Sequence, residues 1–217
     1  MRHKILFAAG IAGLFIMLIG GGLLAAGPEK SDPTAPTKQV QTLLETKIDS
    51  IIGILSRAPL PREEKKQQIM SVINPVIDFP LMAKLSLGKR HWLSLSEEQQ
   101  NRYIDLFVKQ LKDAYLSKIT LYSGQEVIYE KSTAENGKIH VFTRLLTEKE
   151  PIDIVYKFYK NQNNWRVYDF QIEGVSFIRS YRSQFNEILK NGTVEDLFRQ
   201  LKKDEVAKPE EQTATGK

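Results

Sequence analysis

Asp169 is the carboxylate of this chain best placed to do chemistry: it stands mid-run between Tyr168 and Phe170, in a stretch that alternates apolar and polar side chains. Inside a cavity such a group would act as a general base, given a substrate proton within hydrogen-bond reach. Its structural reading is an ion pair or hydrogen bond with Arg179 or Arg182, because a buried carboxylate without a partner is costly. A lone carboxylate with no positioned substrate group favours the structural role. Of the three histidines, His3 lies in the N-terminal leader, His91 abuts Trp92 in a segment read as a loop, and His140 takes the polar phase of a strand. None has a partner at a metal-ligand spacing such as i,i+4 on a helix.

No nucleophile elbow, phosphate-binding loop or dinucleotide-binding glycine pattern occurs in the sequence. Glu63-Glu64 and Glu97-Glu98 fall in first helical turns, where the helix dipole accounts for them. The chain has no cysteine, which removes disulfides, thiolate metal sites and a lipid anchor at Cys. No catalytic residue, metal site or cofactor is assigned, and the chain reads as a non-enzyme. What remains is an abundance of aromatic residues at inward phases, Tyr103, Phe107, Tyr115, Tyr156, Phe177, Tyr181 and Phe185 among them. Such stripes are core in any globule. They line a ligand space only where a curved sheet and a long helix leave a gap.

The elements that position these residues follow from periodicity. Leu43, Leu44, Ile48, Ile51, Ile52 and Leu55 mark one stripe of a first helix. A second helix spans 62–78, kinked or shortened by Pro75. A short helix begins at Phe79-Pro80 and stops at Gly88. Ser96 caps a long helix, with Gln99 completing a capping box.

After Gly124 the apolar period changes to two, giving strands over 125–131, 138–146, 151–160 and 165–174. Glu135-Asn136-Gly137 and the segment 161–164 are hairpin turns, so the strands form an antiparallel meander. One face carries Ile139, Val141, Leu145, Ile154, Tyr156 and Phe158, and the opposite face, with Arg144, Asp153 and Lys157, is wet. Ser176 starts a further helix that ends at Asn191-Gly192, a left-handed stop. Thr193 caps the last helix. The fold class is α+β: N-terminal helices, a curved four-stranded antiparallel sheet and C-terminal helices in a single domain.

The chain is 217 residues long with a formal charge of +5. Without Arg2 and Lys4 the charge is only mildly positive and scattered, no footprint for nucleic acid. MRHK precedes a run that is uncharged over 5–27, the pattern of a secretory signal. That run also reaches the ~20 residues that span a bilayer, so an uncleaved inner-membrane anchor is the alternative. Both readings put the remainder outside the cytoplasm, and an exported domain without cysteine fits a periplasm better than a small secreted scaffold. Residues 1–27 are therefore signal or anchor, 28–39 a Pro-rich polar linker, 40–203 the folded domain and 204–217 a disordered tail.

Several landmarks, in order and spacing, carry a resemblance. They are Asp78-Phe79 with Met82-Ala83, Leu87-Gly88 with Trp92, Ser96-x-x-Gln99 before Phe107, and Tyr115. Further on come Pro151-Ile152 before Val155-Tyr156, Trp165 with Tyr168-Asp169, Glu173-Gly174-Val175-Ser176, and Tyr181-Arg182-Ser183-Gln184-Phe185. Over roughly residues 40–203 the chain resembles the MlaC family, the periplasmic phospholipid-carrier component of the Mla lipid-transport system, also called the toluene-tolerance auxiliary family. The resemblance implies a nuclear-transport-factor-like fold with a deep hydrophobic pocket for phospholipid acyl chains. It further implies partners: an outer-membrane lipid-transfer complex and an inner-membrane ABC transporter.

A related branch implies a hopanoid-type lipid as an alternative ligand. An enzyme using Asp169 on a similar fold, and an anchored adaptor with a filled core, are the competing readings. Inward phase and landmarks together nominate Tyr115, Val141, Ile154, Tyr156, Val175, Phe177, Tyr181 and Phe185 as pocket wall, with the void set between the sheet and the Ser96 helix. Lys84, Lys89 and Arg90 form a basic cluster that is either a solvated face or a partner-docking surface.

Overall fold

Pro36 sits in the first turn of helix α1 (Ala35–Ser56), where its missing N–H leaves no bond unmade. The computed structural model describes residues 34–57, 60–119, 125–148 and 150–202. The leader 1–27 and the tail 204–217 lie outside the described residues. Helix α1 begins inside the stretch read as linker. Helix α2 (Arg62–Ile73) stops two residues before Pro75, which cannot continue a helical hydrogen-bond ladder.

Beyond α2 the backbone joins the sheet. The Val167 N–H donates to the Val76 carbonyl at 2.8 Å and the Asp78 N–H donates to the Val167 carbonyl at 2.9 Å. Asp78 then caps α3 (Phe79–Leu87), accepting from the Leu81 N–H at 3.0 Å. Gly88 ends α3 with φ 81° and ψ 154°. Its φ and ψ allow an immediate second start, so Lys89–Ser94 forms a short helix, α4. His91 is thus helical rather than in a loop. In helix α5 (Glu97–Ile119) the capping box forms as the sequence indicates: the Ser96 N–H donates to Gln99 Oε1 at 3.0 Å, and the Gln99 N–H donates to Ser96 Oγ at 3.2 Å.

The sheet has six strands, not four: β1 (Val127–Tyr129), β2 (Thr133–Glu135), β3 (Lys138–Leu145), β4 (Ile152–Asn161), β5 (Asn164–Ile172) and β6 (Val175–Ser176). Their order is β1-β3-β4-β5-β6, with β2 also paired to β3 and each named pair antiparallel. Strand β2 escapes a hydrophobicity reading because all three of its residues are exposed. Strand β6 is two residues returning from the Glu173-Gly174 turn, both at positive φ. Asn136 and Gly137, also at positive φ, close the β2–β3 hairpin, and the turn between Asn161 and Asn164 closes β4–β5.

Strand β5 departs from strict alternation. Lys157 pairs with Asp169 while Phe158 pairs with Val167, leaving Tyr168 as an extra residue. This bulge brings Val167 and Phe170, three residues apart, to one face. Helix α6 (Phe177–Asn191) starts at Ser176, whose Oγ accepts from the Arg179 N–H. Gly192 has φ −141°, extended rather than left-handed. The chain there runs straight into the Thr193 cap of α7 (Val194–Lys202), where the Asp196 N–H donates to Thr193 Oγ1.

The interior holds two large clusters and a small third one that sets Ile54 of α1 against Ile69 of α2. A helical block joins α3, α5, α6 and α7 around Tyr103, Phe107, Phe185 and Phe198, all fully buried. A second cluster holds Val40 and Leu44 of α1 against Ile139, Val141, Phe158 and Val167 of the sheet. Among the described residues no helix is long and apolar enough to cross a membrane.

Candidate functional site

Between α1, α2 and the sheet lies a space that side chains do not fill. One lobe, about 290 Å³, is lined by residues from α1 (Leu44, Lys47, Ile48, Ile51), α2 (Met70, Ile73), the α2–α3 link, the end of α5 (Leu111, Lys112) and the sheet (Ile154, Tyr156, Val167, Phe170, Ile172). A second, about 520 Å³, extends over Ile52 and Leu55 of α1 and Val127, Thr143, Leu145 and Ile152 of the sheet. The lobes share Ile48, Ile51, Ile154, Tyr156 and Ile172.

Register explains the sheet wall. Val127 pairs with Leu145, Leu145 with Ile152, Thr143 with Ile154, Ile154 with Ile172, and Tyr156 with Phe170. These cross-strand neighbours point to one face. Opposite them, α1 presents Ile48, Ile51, Ile52 and Leu55, all only half-buried. An apolar stripe left half-buried inside a protein is what a cavity wall looks like.

The lining is almost wholly hydrocarbon. Tyr156 is hydrogen-bonded to Thr143, and burial pushes its phenol up to about 12, so it stays neutral. The Thr143 hydroxyl donates to the Ile154 carbonyl at 3.2 Å. Among the described residues, Lys47 and Lys112 are the only charged ones lining the smaller lobe. Such a space binds apolar chains by removing them from water, about 0.8 kcal/mol per methylene, and among the described residues its lining holds no carboxylate or histidine.

Asp169 is elsewhere occupied. On the opposite face of the sheet, its carboxylate accepts from Lys157 Nζ at 3.0 Å, from the Ser176 hydroxyl at 2.8 Å and from the Ile178 N–H at 3.1 Å. The partner is therefore Lys157 rather than Arg179 or Arg182; Arg182 donates to the Leu85 carbonyl instead. Part of the sheet face expected to be wet is consequently dry, because the Ser176–Ile178 return covers it: Asp169 is 4 % exposed. Among the described residues no cluster of three His, Asp or Glu could hold a metal ion.

The family model of the MlaC protein matches residues 35–203. The chain belongs to the MlaC family. Among solved structures, it is similar to the phospholipid-binding protein from Ralstonia solanacearum, determined in complex with a phospholipid. The two share 27% sequence identity with a TM-score of 0.67, over 74% of this chain and 93% of that one.

Of the eight residues nominated from sequence, Ile154 and Tyr156 lie on the cavity wall of this MlaC-family domain. Val141 is fully buried beneath it, packed with Val40 and Phe158. Phe177, Tyr181 and Phe185 sit in the helical block with Phe107, ring centroids 5.3–6.5 Å from it. Val175 is 54 % exposed at the edge of the sheet. The side chain of Tyr115 lies outside the described residues.

The void itself is walled chiefly by α1 and the sheet, while among the described residues α5 touches it through Leu111 and Lys112; upstream, Tyr103 and Phe107 of α5 are spent on α6. Sequence reasoning missed Ile48, Ile51, Met70 and Ile73. For Ile48 and Ile51 the signal was an α1 stripe broader than one packing partner requires; Met70 and Ile73 belong to α2. Lys84, Lys89 and Arg90 are exposed around Gly88, with Lys84 Nζ 5.4 Å from the Trp92 ring centroid.

Proposed function

We propose that this domain is a phospholipid carrier whose two-lobed cavity holds the acyl chains, working in a periplasm between an outer-membrane lipid-transfer complex and an inner-membrane ABC transporter. The observation that carries the reading is the apolar, two-lobed space between α1 and the sheet. Membership in the MlaC family and the phospholipid bound by the similar Ralstonia protein support the choice of ligand. Two lobes sharing one wall suit two hydrocarbon chains joined at one end. Ile154, Tyr156, Ile48 and Ile51 are the wall residues of this proposal.

Export by the segment 1–27, with the domain free or tethered, places the cavity where lipid must cross water. Lys84, Lys89 and Arg90, exposed on one corner, supply a docking surface for an acidic partner. Most of the binding energy is apolar, so loading from one membrane and release to another follow the lipid's differential affinity at each docking site. The test is a transfer assay with fluorescent phospholipid in donor vesicles. The carrier reading expects movement to acceptor vesicles that scales with protein concentration and falls by about tenfold or more in Ile51→Trp. Transfer no faster than in buffer would reject it.

A further inference from the structure

Among the described residues, Lys47 and Lys112 are an anomaly in a wall of otherwise uncharged side chains. Both are half-buried. Among the described residues neither makes an ion pair with a carboxylate; Lys112 Nζ rests 5.4 Å from the Phe79 ring centroid. Lys112 and Met70 also line a neighbouring depression between α2 and α5, furnished with the polar groups of Gln67, Ser71 and Asn74. The two carboxylates of that depression already have lysine partners. Glu63 pairs with Lys66 at 2.6 Å and Asp113 with Lys109 at 2.7 Å. Lys112 is the positive charge left over where the greasy cavity meets a polar recess.

We propose that the cavity prefers phospholipids of net negative headgroup, the anionic group lying against Lys112 and Lys47 with its polar remainder in the Gln67–Ser71–Asn74 recess. This rests on the carrier reading and deepens it. The chemistry is simple: a half-buried ammonium attracts a phosphate more strongly than one in bulk water does, and a zwitterionic headgroup offsets that attraction with its own cation. Burial of acyl chains is the same for either class, so any discrimination must come from the head.

The experiment loads lipid-stripped protein from vesicles of equimolar phosphatidylglycerol and phosphatidylethanolamine with matched acyl chains. Re-isolated protein is then extracted and both lipids counted by mass spectrometry. At low salt the wild type should be enriched in phosphatidylglycerol by about fivefold, the scale of one lysine near an anionic surface, and the enrichment should shrink as salt is added. A Lys47→Gln, Lys112→Gln variant should lose phosphatidylglycerol selectively, bringing its bound lipid to the vesicle ratio, and Lys47→Arg, Lys112→Arg should keep the preference.

Wild-type lipid at the vesicle ratio, or enrichment that survives the glutamine substitutions, overturns the headgroup assignment and leaves the carrier reading standing. Equal loss of both lipids in the glutamine variant also overturns it, because the lysines would then support binding without choosing. Wild-type protein that takes up neither lipid overturns both readings.

Discussion

Lys157 and Asp169 face each other across neighbouring strands with Nζ 3.0 Å from the carboxylate, their side chains only 15% and 5% exposed. Ser176 and the Ile178 N–H complete the carboxylate's bonding. The pair thereby ties β4, β5 and the first turn of α6 at one point. Removing one partner strands a buried charge, which costs about 3–5 kcal/mol. An Asp169→Asn variant should melt well below wild type in thermal denaturation while its folded fraction retains lipid. If lipid retention fell with stability unchanged, Asp169 would belong to a site rather than to the scaffold.

Gly88 joins α3 to α4 at φ 81° and ψ 154°, a region of backbone space that is essentially glycine's alone. The Arg182 side chain packs 3.6 Å from where a Cβ would stand and donates to the Leu85 carbonyl. A Gly88→Ala variant should lose about 1–3 kcal/mol, read as a lower urea midpoint with the denaturant slope unchanged. A neutral result would show that the junction tolerates another backbone conformation.

Filling the cavity should separate binding from folding. Ile51 lies on the wall shared by both lobes, so Ile51→Trp places a ring where hydrocarbon would sit. Displacing even two methylenes forfeits ~1.6 kcal/mol, so retained lipid should fall by about tenfold or more with circular dichroism unaltered. Undiminished lipid would move the binding site away from α1.

Alkaline pH should weaken the fold through two tyrosines. Burial holds the Tyr156 phenol at about 12; burial, then the hydrogen bond its hydroxyl donates to Asp78, brings Tyr159 to about 12. Both sit near 10 in an unfolded chain. The folded state therefore keeps protons that the unfolded state releases, and this stabilisation is full below about pH 10 and lost as pH rises towards about 12. Denaturant midpoints measured across that window should decline, and less steeply in Tyr159→Phe. Phenolate absorbance appearing with an unshifted midpoint would contradict the assignment.

Much of the scaffold was legible because its signals are local. The Ser96–Gln99 box, the Asn136-Gly137 turn and the Ser176 cap each depend on residues a few positions apart, and all three form. Strand β2 was hidden because exposed Thr133, Ala134 and Glu135 carry no apolar alternation. The Tyr168 bulge leaves no mark on composition, yet it decides which β5 side chains face inward. Asp169 found Lys157, visible only once β4 and β5 are in register.

The cavity is the hardest part to foresee. Periodicity states that Ile48 and Ile154 point inward; whether the interior between them is filled depends on how far helix and sheet stand apart. The long α5 stripe suggested the wall because it is the strongest amphipathic signal, and tertiary packing gave Tyr103 and Phe107 to α6 instead.

The most direct measurement is organic extraction and lipid mass spectrometry of the gently purified, full-length protein. An apolar hollow beneath α1 that shelters lipid tails predicts two-chain phospholipid in a fixed ratio to protein. Protein recovered folded and free of lipid, and still empty after incubation with phospholipid vesicles, would contradict it.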